Sequence, residues 1–145
     1  MNTAPAYEGE SNSGTEVINI LAKAAISSAK DFFIGVKDQT EEIAGHFRMG
    51  EEGQGSEKLI LFIDDLQTIS LLLSDLKIFA DASPLLIDDK RQIEENEKVF
   101  LDLLTQMMGA QSNNDWILLA DLLEYEIVPL AGTLNDSLTE LSDKL

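Results

Sequence analysis

Apolar and small residues recur at a helical period from the first third of the chain onward, at Val17, Leu21, Ala24, Ser28, Phe32, Val36, Ile43 and Phe47, with Gln39 interrupting. Ser13-Gly14-Thr15-Glu16 has the S-x-x-E spacing of a capping box, in which hydroxyl and carboxylate each satisfy the other's backbone amide. A first helix is therefore expected from here to about residue 48. Residues 1–14 are small and polar, with too little apolar surface to offset the entropy of ordering, and are expected to form a flexible tail.

The segment Gly50-Glu51-Glu52-Gly53-Gln54-Gly55-Ser56 predicts a break, with Ser56 as the next N-cap and Glu57 in the first turn. Leu59, Phe62, Leu66, Ile69, Leu73, Leu76 and Ala80 then alternate steps of three and four, the seam of a bundle. Leu61, Leu72 and Phe79 widen this stripe, and Ile60, Leu71 and Ile78 add a third flank. A helix so apolar around its circumference is expected to lie centrally.

Pro84 ends that helix, since the residue before a proline is pushed out of the helical region. Two starts for the third helix compete: Ser83–Pro84 as an N-cap pair, and Asp88–Asp89, where the apolar pattern of Ile93, Phe100, Leu103, Leu104 and Met107 sets in. The expected span is 88–108, with residues 88–98 facing water. After the polar break at 109–114, Asn114 or Asp115 can cap a fourth helix. In it Trp116, Leu119, Ala120, Leu123, Ile127, Leu130, Leu134, Leu138 and Leu141 share about 100° of arc. Pro129 lies inside it and predicts a kink or a break. The pattern as a whole predicts an all-α antiparallel four-helix bundle over residues 15–145, with five helices if Pro129 divides the last.

Charge narrows the partners. The 145 residues carry 27 acidic and 10 basic side chains, a net −17, which repels phosphate backbones and anionic bilayers, so neither nucleic acid nor membrane is expected. No apolar run approaches the roughly 18 residues of a membrane span, and the first residues lack the pattern of a signal peptide. A cytoplasmic location is the expectation. With no Cys and one His, no disulfide framework, thiolate metal site or His-rich zinc site is expected, and no cofactor.

Catalytic constellations lack their parts. A di-iron carboxylate bundle needs two Glu-x-x-His motifs, whereas His46, with Glu42 four residues earlier, stands near the expected end of the first helix and suits its negative dipole end. Gly53-Gln54-Gly55 does not complete a phosphate loop, and Glu51 and Glu52 oppose an anion. A magnesium-dependent all-α nucleotide pyrophosphatase is the enzymatic alternative. Its paired carboxylates would come from Glu94-Glu95-Asn96-Glu97 and from Asp121 with Glu124, but the spacing of the first set and the order of the second depart from that pattern. No enzyme is expected.

The fourth helix carries a second apolar strip. Leu118, Leu122, Tyr125 and Pro129 cluster away from its core arc, with Asp121, Glu124 and Glu126 on the margins. It reads either as the buried side of a central helix or as an acidic-rimmed surface for a partner protein or a second copy of the chain. The segment DWILLADLLEYEIVPL at 115–130 resembles a box of small uncharacterised acidic helical proteins of bacteria, some linked to motility. In size, acidity and helicity the chain also resembles flagellar and type III export chaperones. The expected function is a non-enzymatic protein-binding module, adaptor or export-chaperone-like, with a self-associating structural protein as a further alternative.

Overall fold

The computed structural model describes the backbone of residues 4–145 and the side chains of residues 14–145. Helix α1 spans Ala4–Arg48, α2 Glu52–Asp81 and α3 Ile87–Ser112, the last entered through a 3-10 turn at Pro84–Leu86. α4 (Trp116–Asp121), a π-helical segment (Leu122–Ile127) and α5 (Val128–Asp143) follow one another without a gap and make the fourth helix. The fold is all-α, a four-helix bundle, with no strand among the described residues. No described helix is long and apolar enough to cross a membrane.

Each helix has two lateral neighbours: α1 and α3 both lie beside α2 and beside the fourth helix. Short connections impose alternating directions, and ion pairs mark the two ends. The end of α1 meets the start of the fourth helix where Arg48 reaches Asp121 at 2.9 Å, and the end of the fourth meets the start of α3 where Lys144 reaches Asp89 at 2.7 Å. Between them lies one continuous core, in which Ile26, Leu66, Ile93, Phe100, Leu123 and Leu138 are almost wholly buried. Burying a side chain of this size contributes about 1.5–3 kcal/mol.

Several boundaries differ from the sequence reading. α1 begins at Ala4, so Ser13–Glu16 lies within a helix instead of starting one; the flexible tail expected for 1–14 falls largely on residues whose side chains lie outside the described ones. The first break is a short turn around Gly50, whose φ of +78° is the left-handed conformation glycine adopts without strain. α2 has already begun at Glu52, so Ser56 is not its cap. The close approach of α1 explains the glycine inside it: a Cβ on Gly55 would lie 2.8 Å from the Phe47 ring. Ser83 and Pro84 serve the 3-10 turn, with the Ser83 hydroxyl accepting from the Leu85 amide at 3.3 Å. α3 runs on through Gly109 to Ser112. Asp115 caps the fourth helix, its carboxylate accepting from the Leu118 amide at 3.2 Å, after Asn114 has turned the chain at φ 54°.

Residues 88–98 do not all face water. Asp89 and Glu97 are buried, the first against Lys144 and the second between Lys77 at 3.0 Å and Ser74 at 3.0 Å. Charges leave water only when a partner compensates.

Pro129 neither ends nor divides the fourth helix. It has no amide for the Tyr125 carbonyl, and its ring crowds that group in an α-helix. The turn just ahead is wound as a π-helix, whose i→i+5 bonds widen the backbone and make room. The wide turn also holds more residues than an α turn. Consecutive residues Leu122 and Leu123 therefore both point into the core, at 5% and 0% exposure.

Candidate functional site: an apolar groove between α1 and α2

α2 is not the central helix that its composition suggests. It occupies a corner, packs against α1 and α3, and uses its main seam to do so. Among the described residues the third apolar flank, Ile60, Leu71 and Ile78, is left exposed, as is Leu61 of the widened stripe, with Leu71 and Ile78 at 71% and 69%. α1 behaves alike toward its N-terminal end, where Val17, Ile18, Ile20 and Leu21 are all more than half exposed.

Of these residues, Ile18 and Leu21 on α1 and Leu71 and Ile78 on α2 line a groove in two adjoining compartments. The shallower, of about 470 Å³, lies between Ile18, Leu21 and Ala25 on α1 and Leu71 and Leu72 on α2. The larger, of about 980 Å³, lies at the bundle end and is closed by Ile78, Leu85, Leu86 and the terminal Leu145. Ile18, Asp75 and Phe79 line both, so the two form one channel along the helices. Leu85, at 85% exposure, stands on the rim. Contiguous exposed apolar surface of this kind marks interaction sites, because an ordinary surface scatters such residues singly.

Polar groups in the groove are few, and their charges are unequal in availability. Lys144 is held by Asp89, and that hydrogen bond raises the pKa of its amine above the usual lysine value. Asp75 makes no ion pair or hydrogen bond among the described residues and presents the uncompensated charge of the groove.

The strip expected on the fourth helix divides. Leu118, Tyr125, Pro129 and Glu126 are exposed, Leu118 at 42% and Tyr125 at 66%. Leu122 is in the core and does not belong to a surface, because the π turn rotates it inward, which a uniform 100° wheel does not register. Asp121 and Glu124 are half-buried and close on Arg48 at 2.9 and 3.4 Å, joining α1 to the fourth helix. Those two hydrogen bonds, Asp121 first, raise the Arg48 pKa.

Of the carboxylates of the pyrophosphatase alternative, Glu97 is engaged by Lys77 and Asp121 and Glu124 by Arg48, while Glu94 and Glu95 make no ion pair or hydrogen bond among the described residues. Among the described residues no three His, Asp or Glu side chains come together as metal ligands. His46 lies in the last turn of α1 with its Nδ1 3.6 Å from Glu51, while Glu42 turns to Lys58, whose hydrogen bond holds that carboxyl below the usual carboxylate range. The sequence signal for the groove is the third flank of α2, which by composition alone predicts central burial.

Residues 24–141 match the family of DUF8042, a domain of unknown function, and the chain belongs to that family. No curated protein and no solved structure matches the chain.

Proposed function

For this member of a helical domain family, we propose a non-enzymatic, cytoplasmic binding module whose α1/α2 groove receives an amphipathic helix of a partner protein. The observation that carries this is the channel shared by Ile18, Asp75 and Phe79, apolar on both walls and open along the helix direction. A helix laid into such a groove buries residues at i, i+3, i+4 and i+7 against it. Asp75, unpaired in a chain of −17, selects a helix with Lys or Arg beside its apolar face. An adaptor or export-type chaperone uses such a groove to shield an apolar segment until delivery. The tie to motility suggested by the box at 115–130 belongs to the same proposal.

A fluorescein-labelled amphipathic Leu/Lys peptide, followed by anisotropy, tests this reading. Binding is expected to the native chain and to weaken at least about tenfold, or about 1.4 kcal/mol, in Leu71→Gln with Ile78→Gln. Both positions are exposed and neither change alters charge, so general attraction of a cation to an acidic protein is left intact. A matching Leu/Glu peptide should not bind, and Tyr125→Ala should leave affinity unchanged. Undiminished binding in the double variant would overturn the assignment.

A further inference from the structure

On the flank of α1 opposite the groove stands a row of lysines without partners. Lys23, Lys30 and Lys37 recur every seven residues, which keeps them on one face of a helix. Of the other seven bases, Arg48, Lys58, Lys77, Lys90, Arg91 and Lys144 each reach a carboxylate within 4.0 Å, and Lys98, on α3, does not. In a chain where acids outnumber bases 27 to 10, these three lysines make no ion pair or hydrogen bond among the described residues. The cause is local. The shallow α1/α5 groove that Lys23 and Lys30 edge has Ser142 as its α5 wall, and Asp31, on α1 itself, is the carboxylate lining it. Exposed Ser27 and Ile34 lie between the lysines, Ile34 at 75% exposure.

α3 displays the complementary row. Asp88, Glu95 and Asp102 recur at the same seven-residue interval, all exposed, with exposed Gln92 and Val99 between them. Arg91 lies 3.9 Å from Asp88, which also acts on the Lys144 amine, Gln106 donates to Asp102 at 2.8 Å, and Gln92 accepts from the Ser137 hydroxyl of α5 at 3.2 Å. Set side by side and parallel, the two patterns match layer for layer. Lys23 meets Asp88, Lys30 meets Glu95 and Lys37 meets Asp102, while Ser27 meets Gln92 and Ile34 meets Val99.

α1 and α3 are diagonal in the bundle, with the fourth helix between the two rows, and no pair between them forms within one molecule among the described residues. We propose that the α1 lysine row docks on the α3 carboxylate row of a second copy of this chain. The contact is heterologous: each copy keeps one free row of each sign, so association proceeds head to tail and does not stop at a closed pair. The rows extend over about 21 Å at 1.5 Å per residue, a small contact, which makes association weak and concentration-dependent. Long-range repulsion between two chains of −17 opposes it, but at physiological salt the Debye length of about 8 Å screens that repulsion more than pairs in contact. This surface is separate from the α1/α2 groove, so its failure would leave the groove reading standing.

Sedimentation velocity of the full chain, from micromolar to millimolar concentration in physiological salt, is the test. The native chain is expected to show a weight-average sedimentation coefficient that keeps rising with concentration. K23E/K30E/K37E and D88K/E95K/D102K should each remain monomeric, since like charges then face one another, and an equimolar mixture of the two should associate again. Both variants are still net negative, so recovery in the mixture reports the rows and not overall charge. Circular dichroism confirms that each is folded. A native chain monomeric throughout, a triple variant that associates like the native chain, or a mixture that stays monomeric would each overturn the proposal.

Discussion

The Phe47 and Trp116 rings stack with centroids 5.2 Å apart and planes within 5° of parallel, joining the end of α1 to the start of the fourth helix. Gly55 lies against the same Phe47 ring, so the ring is held between a helix backbone and an indole. Gly55→Ala would ordinarily stabilise a helix by up to about 1 kcal/mol. Here the new methyl drives Phe47 into Trp116, and a net loss of about 1–3 kcal/mol is expected. Urea denaturation followed by Trp116 fluorescence measures it, because this tryptophan is the only one in the chain.

Leu122 and Tyr125 are three residues apart in the π segment and have opposite fates. Leu122→Ala should cost about 2–5 kcal/mol, like Leu123→Ala, since each leaves a cavity in the core. Tyr125→Ala should cost less than about 1 kcal/mol. Equal losses for Leu122→Ala and Tyr125→Ala in chemical denaturation would contradict the inward rotation of Leu122.

Asp89 is buried at the start of α3 and depends on Lys144. Lys144→Met should lower the melting temperature, because it leaves a buried carboxylate unpaired, and adding Asp89→Asn should recover part of the loss. The Lys144 pKa is raised on folding, first by its hydrogen bond to Asp89. Its contribution is therefore fully present below the unfolded value, about 10.4, and is lost as pH rises through the higher folded value. The gap in melting temperature between native chain and Lys144→Met should close as pH rises through that folded value, which calorimetry across pH can follow.

A net −17 sets the response to salt. Most carboxylates outnumber any cation that can reach them, so screening should raise the melting temperature of the native chain as sodium chloride is added at neutral pH. A steady fall measured by calorimetry would mean that the attractive pairs around Arg48, Lys77 and Lys144 outweigh the repulsion.

The four helices were legible because each carries an apolar repeat near 3.6 residues, from Val17 to Phe47 and again from Trp116 to Leu141. The first break was misplaced because Gly53 and Gly55 read as loop. What retains Gly55 in a helix is the Phe47 ring, a contact between helices that local pattern cannot report. The apolar circumference of α2 was visible in Leu71 and Ile78, but an apolar flank looks the same whether a neighbouring helix covers it or not. Leu122 and Tyr125 could not be told apart as core and surface for a different reason: a uniform wheel assumes a constant twist, and the fourth helix changes twist ahead of Pro129.

The wide turn at Leu122–Ile127 also bears on how the lengths of related chains should vary. A π turn accommodates one residue more than an α turn, so it amounts to a single-residue insertion lodged within a continuous helix. Trp116, Leu119 and Ala120 are thereby uncoupled in phase from Leu134, Leu138 and Leu141. One-residue gains and losses should then be accepted in this stretch, whereas the same change within α5 would rotate Leu138 and Leu141 by about 100° out of the core.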